Sequence, residues 1–164
     1  MVKSRNIKWL VMDVDGTMTD GKIYMGASGE TFKAFNVKDG YAIHEILPKY
    51  GIKSIIMTGR TSDIVLNRAK ELEIDYVYQG IKDKTAKIKE IAAEFAIDVS
   101  RIAYIGDDLI DLEPMKLCGV SGCPADAVDE IRKISSFVSG KRGGDGAVRE
   151  FIEWLIKDTE RNEI

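Results

Sequence analysis

Two cysteines, a single histidine, no surplus of basic charge and no long apolar run are what this 164-residue chain has little of. Cys118 and Cys123 could close at most one bridge and are too few for a structural zinc site. They read as buried, reduced thiols of a cytoplasmic protein. With His44 the only histidine, a Ser-His triad or a histidine-rich metal site has no support, and His44 is expected exposed or at a pocket edge. Lys and Arg number 24 against 27 Asp and Glu, a formal charge of −3, which excludes a broad basic footprint for nucleic acid or an anionic membrane. No run approaches the ~20 apolar residues of a membrane span. The opening MVKSRNIKWLVMDVDG meets aspartates too soon for a signal peptide. No GxxxxGK[ST] is present, and Gly140 to Gly146 lacks the buried strand that a dinucleotide fingerprint requires before it.

What is there is a rhythm. At ~100–200 residues per domain the length predicts one domain over 1–164. Short apolar runs at Ile7–Met12, Ile52–Met57, Tyr76–Tyr78 and Arg101–Ile105 read as strands. Between and after them, apolar residues recur at three- and four-residue spacing over 39–50, 62–72, 85–95 and 147–156, as one helix face requires. Strand and helix in alternation predict an α/β protein with a Rossmann-like, doubly wound parallel sheet. One segment departs from the rhythm. Thr17 to Phe35 places Gly-Ala-Ser-Gly between two alternating stretches, a β-hairpin inserted after the first strand. A glycine-rich loop and helix over 141–164 close the chain.

In open α/β sheets the ligand lies beyond the carboxyl ends of the strands. Those ends deliver Asp13 and Asp15, then Thr58-Gly59-Arg60, then Lys84, then Asp107, Asp108 and Asp111. Singly, each has an ordinary reading: an Asp after a strand is commonly a helix cap, and Thr-Gly a turn. Jointly they converge. Carboxylates ~4 Å apart repel by about 4 kcal/mol per pair at an effective dielectric of 20, so a divalent cation is needed, and an all-oxygen shell suits Mg2+. Thr58 and Lys84 then offer a hydroxyl and a positive charge to an anion, a combination that describes phosphoryl transfer.

The motifs Asp13-Val14-Asp15-Gly16-Thr17, Thr58, Lys84 and Gly106-Asp107-Asp108-Leu109-Ile110-Asp111 resemble, in order, the four motifs of the haloacid dehalogenase-like phosphatases. The resemblance spans essentially the whole chain. It implies Asp13 as nucleophile and Asp15 as general acid and base. It also implies Asp13, the main-chain carbonyl of Asp15 and Asp107 as Mg2+ ligands with Asp108 and Asp111 behind them. Thr58 and Lys84 would bind the phosphoryl group.

The match goes further. Asp20-Gly21, Lys33 to Tyr41, Thr58-Gly59-Arg60, Gln79-Gly80 and Gly143 to Glu150 are similar to the 3-deoxy-D-manno-octulosonate 8-phosphate phosphatase family. This similarity implies a homotetramer acting on a phosphorylated eight-carbon keto-sugar acid. Substrate contacts would fall on Asn36, Val37, Lys38, Asp39, Gly40, Gly59, Arg60, Arg68 and Lys84, with Arg142 also facing the anion. Arg60 suits the substrate carboxylate, since a guanidinium fork matches its two oxygens. Two positions depart from the family: His44 and Asp145 stand where arginine is common. A phosphatase for nine-carbon, sialic-acid-type 9-phosphates is the alternative substrate reading, and Arg60 favours the eight-carbon acid. A phospho-receiver domain lacks an acid two residues after its aspartate and has no hairpin insertion. A silent binding or oligomerisation domain would not need the whole catalytic set. The core and hairpin leave no residues for a cap domain. The resemblance implies that the hairpin packs into a tetramer barrel and that a neighbour's Lys141–Gly146 segment helps close the site.

Overall fold

The computed structural model describes residues 6–161. Along the chain run β1 (Trp9–Met12), β2 (Tyr24–Gly26), β3 (Gly29–Phe32), α1 (Val37–Tyr41), β4 (Lys53–Met57), α2 (Asp63–Glu71) and β5 (Tyr76–Tyr78). Then follow α3 (Lys84–Glu94), β6 (Ile102–Ile105), α4 (Leu112–Leu117), β7 (Val120–Cys123), α5 (Asp129–Ile134), β8 (Phe137–Val138) and α6 (Ala147–Arg161). Six strands form one parallel sheet in the order β5-β4-β1-β6-β7-β8. The fold is the expected α/β doubly wound sheet, and β2 and β3 form the expected antiparallel hairpin.

Each face of the sheet carries its own core. Leu10 and Met12 of β1 point to one side, where Val65 and Ala69 of α2 and Val148, Phe151, Ile152 and Leu155 of α6 cover them. Val11 and Trp9 point to the other, under Ile88 and Ile91 of α3, Met115 of α4 and Ile131 of α5. Alternation along one strand thus feeds two layers, and each fully buried aliphatic or aromatic side chain contributes about 1.5–3 kcal/mol. Cys118 and Cys123 are free thiols buried in the second layer, as expected; burial pushes Cys118 up to about 12.

Two differences from the sequence reading have physical causes. The helix expected over 39–50 is broken into α1, a π-turn at Ala42–Ile46 and a 3-10 turn at Leu47–Tyr50. Pro48 has no amide hydrogen to continue an α ladder, and Gly51 at φ +65° ends the segment in the left-handed region. Strands β7 and β8, with α4 and α5, were not legible. VSGC is short and glycine-bearing, and Gly122 is there because a Cβ would lie 2.5 Å from the Phe151 ring.

From β1 the chain moves to β4 and β5, then crosses to β6 on the other flank. The switch point therefore lies between β1 and β6, and the crevice beyond their carboxyl ends is where a ligand belongs. The register aligns Met12 with both Ile56 and Ile105, so Asp13, Thr58 and Asp107 all fall one or two residues past the ends of three adjacent strands.

Candidate active site

The loop after β1 is wound tightly: the amides of Thr17, Met18 and Thr19 all reach the Val14 carbonyl. Gly16, at φ +89°, lets the loop pass so close to Asp107 that a Cβ would sit 2.0 Å from its Oδ2. The Thr17 hydroxyl then donates to Asp107 Oδ1 at 3.1 Å. Loop and carboxylate are fixed to one another by the absence of one side chain and the presence of the next.

Lys84 is the first residue of α3, capped by Asp83, and its ammonium is almost wholly buried. It donates to Asp13 Oδ1 and Asp111 Oδ1, each at 2.8 Å. Asp111 is fully buried and saturated: it also accepts from the Tyr104 hydroxyl at 2.7 Å and from the amides of Asp107 and Asp108. Gly106 makes room for it, since a Cβ there would lie 2.5 Å from Asp111 Cγ. Asp111 is thus a buttress that aims Lys84 and pins the Asp107 loop. Asp108 is exposed and caps the turn that follows, accepting from Leu109 N–H.

Asp13, Asp107 and Asp111 each offer an oxygen within 4.8 Å of the others. With Lys84 the buried group carries three carboxylates against one ammonium. Burial, then Asp111, push Asp13 up to about 6; burial, then Asp13, push Asp107 up to about 9. Burial alone would push Lys84 down, but Asp13 and Asp111 outweigh it and hold the ammonium above the usual lysine value. A hard divalent cation between Asp13 and Asp107 would relieve this repulsion, and an all-oxygen donor set at a two-charge deficit fits Mg2+.

Asp15 projects to the hairpin side. Its Oδ1 accepts from Lys33 Nζ at 2.6 Å, and Arg60 Nε stands 3.8 Å from Oδ2. Glu30 ties these groups together, accepting from Lys33 at 2.9 Å, Arg60 at 3.4 Å and the Ser62 hydroxyl at 2.8 Å. Thr58 is buried at the end of β4, its hydroxyl accepting from Arg60 N–H at 3.4 Å, and Gly59 passes beside Ile110.

The structure therefore gathers Asp13, Asp15, Thr58, Gly59, Arg60, Lys84, Asp107, Asp108 and Asp111 at one end of the sheet. Other expected site residues have their contacts elsewhere. Asn36 caps α1 by accepting from Lys38 N–H, while Val37 and Lys38 are exposed. Asp39 is buried and accepts from Arg149 N–H at 2.9 Å, serving the first turn of α6. Gly40 packs on Arg68, which itself pairs with Glu71 and lies over the Phe35 ring. Arg142 pairs with Asp126 of its own chain. The neighbouring Gly143 and Gly144 pack on Gly16 and Thr19, with Gly144 N–H donating to the Thr17 carbonyl, so this loop braces the turn that follows β1 in its own chain. His44 is half-exposed beside Glu45 and Glu73, at the edge of a cavity near the amino end of β4.

The sequence assigns no role to Glu30, Lys33 or Tyr104, although Lys33 opens the Lys33 to Tyr41 stretch that carries the resemblance. Tyr104 looked like core because it lies inside an apolar strand. Glu30 and Lys33 sat in the hairpin, and their one signal was a paired acid and base within reach of the aspartate turn.

A model of the haloacid dehalogenase-like hydrolases matches residues 77–152. The 3-deoxy-D-manno-octulosonate 8-phosphate phosphatase KdsC of Escherichia coli (strain B / BL21-DE3) is 42% identical over 156 residues, covering 95% of this chain and 82% of that protein. The crystal structure of the Yersinia pestis 3-deoxy-D-manno-octulosonate 8-phosphate phosphatase superposes with a TM-score of 0.90 at 41% identity, over 98% of this chain and 86% of that one. The Moraxella catarrhalis phosphatase of the same name, in complex with magnesium ion, phosphate ion and KDO, superposes at 0.91 with 38% identity, over 98% and 91% of the two chains.

Proposed function

We propose that this chain, which belongs to the 3-deoxy-D-manno-octulosonate 8-phosphate phosphatases of the haloacid dehalogenase-like hydrolases, releases phosphate from that eight-carbon sugar acid phosphate. The observation that carries the reading is the buried Asp13–Lys84–Asp111 bridge set against Asp107 at the switch point. Asp13, the main-chain carbonyl of Asp15 and Asp107 would hold Mg2+, whose charge, when bound, would offset that of the phosphoryl oxygens.

The residues then divide the work. Asp13 attacks phosphorus; its oxygen–phosphorus bond forms as the ester oxygen–phosphorus bond breaks, and Asp15 gives its proton to the departing alkoxide. Water next attacks the aspartyl phosphate, Asp15 takes a proton from it, and the bond to Asp13 breaks to release phosphate. Lys84 keeps Asp13 aimed and, with the Thr58 hydroxyl, faces the phosphoryl oxygens. Arg60, half-exposed beside Asp15, would meet the substrate carboxylate, a role its guanidinium fork and exposure support.

The chain works as one domain without a cap, in a cytoplasmic homotetramer. Met25, Phe32, Val37 and Tyr41, exposed on and beside the hairpin, support an assembled form, and the free thiols support the compartment. The test is kcat/KM with Mg2+ across eight- and nine-carbon keto-acid phosphates, for the wild type, Asp13→Asn and Arg60→Glu. Asp13→Asn should release no phosphate, and Arg60→Glu should lose more on the eight-carbon acid than on a small generic phosphate ester. Full activity in Asp13→Asn, or a preference for the nine-carbon acid, would overturn the reading.

A further inference from the structure

The hairpin brings a lysine to the proposed acid–base group. We propose that Lys33 is a positioning residue for Asp15, held in place by Glu30; this rests on the phosphatase reading above. The Lys33 side chain is 2% exposed, yet its ammonium touches two carboxylates, Asp15 at 2.6 Å and Glu30 at 2.9 Å. A lysine is seldom buried so completely without such partners. Glu30 is anchored in turn, its other oxygen accepting from Ser62 at the start of α2. An unbroken line of contacts thus runs from α2 through the hairpin to Asp15, all within one chain.

The arrangement separates the two cations that face Asp15. Arg60 is 49% exposed, 3.8 Å from Asp15 and bonded at its outer edge to Glu30 at 3.4 Å, a long contact that an arriving carboxylate can replace. Lys33 is enclosed and remains on Oδ1, which restrains the side-chain torsions of Asp15 and leaves Oδ2 beside Arg60. An acid–base carboxyl must come within about 2.6–3.2 Å of the oxygen it serves, and a rotamer change forfeits that reach. Without the ammonium, Glu30 and Asp15 face each other as like charges and Asp15 turns away. The hairpin therefore has a task at its own chain's site, apart from what its apolar outer face meets.

The test uses leaving groups. p-Nitrophenyl phosphate expels a phenolate that needs no proton, whereas an alkyl phosphate needs Asp15 to donate one; both need Asp15 again to activate water. For Lys33→Met, steady-state kcat on the sugar acid phosphate should fall roughly 10- to 100-fold, within the reach of general acid–base catalysis. With p-nitrophenyl phosphate a rapid burst of one phenolate per site should persist within about threefold of the wild-type rate, followed by slow turnover. Lys33→Arg should recover part of the loss, and Glu30→Gln, which keeps the Ser62 contact, should show the same split in milder form should Lys33→Met fail to fold. Equal losses in burst and turnover, or no loss at all, would overturn the positioning role. A wild type inactive on every ester would instead overturn the phosphatase reading, and the role with it.

Discussion

Replacing Lys84 with methionine removes one ammonium and keeps the side chain's apolar length, so it isolates the charge at the centre of the site. In the folded chain that charge lies 2.8 Å from both Asp13 and Asp111. At an effective dielectric of 20 each attraction is about 6 kcal/mol, much of it offset by the cost of taking the charges out of water. The asymmetry lies in what the variant leaves behind. Asp111 keeps its hydroxyl and amide donors, but Asp13 loses its cation and faces Asp107 and Asp111. Removing one partner of a buried pair costs about 3–5 kcal/mol. For a chain of this size that is a fall in Tm of about 6–20 °C. The assay is thermal unfolding in EDTA and again in excess Mg2+. The wild type should gain modestly from the ion and Lys84→Met should gain more, because the cation replaces part of the missing charge. Lys84→Met with Asp111→Asn should recover part of the EDTA loss. An unchanged Tm in EDTA, or the same Mg2+ gain in both proteins, would refute the electrostatic account.

Two further outcomes follow from shifted carboxyls. Asp13 and Asp107 are pushed up to about 6 and about 9, so both must shed protons to bind a cation. Apparent Mg2+ affinity should rise with pH by up to about tenfold per unit between pH 6 and 9, with proton release measurable by calorimetry in buffers of different ionisation heat. Binding that releases no such protons would contradict the cluster's electrostatics. Asp39 is raised from its ordinary 3.8 to about 6, chiefly by burial. A raised carboxyl contributes stability below about pH 4 that is lost as pH rises through 6, so Asp39→Asn should stabilise by up to about 3 kcal/mol at pH 8 and by little at pH 4. Asn can still accept from Arg149 N–H, and a lower Tm at pH 8 would show that the charge itself is needed.

What could be read along the chain was whatever depends on near neighbours. IKWLVM names a doubly buried strand because its apolar run stops at Asp13, and the strand–helix rhythm then dictates a parallel sheet with ligands at its carboxyl ends. Asp13, Thr58, Lys84 and Asp107 were legible as a site because each follows such a run. VSGC carried no comparable signal: its burial comes from Phe151, about thirty residues away, and pairing set at that distance leaves no local periodicity.

Function divides the same way. Residue type and order alone fixed an acidic, phosphate-directed chemistry. The resemblance already set Asp111 behind Asp13 and Asp107; the fold supplies the physical reason, since Asp111 is held by a tyrosine hydroxyl, two amides and Lys84, while Asp13 and Asp107 each keep an oxygen close to the other. Only the fold brought Lys33 to Asp15, eighteen positions earlier in the chain, at 2.6 Å. A sequence states which charges exist; their energies depend on distance and on exclusion from water, and both are set when the chain closes on itself.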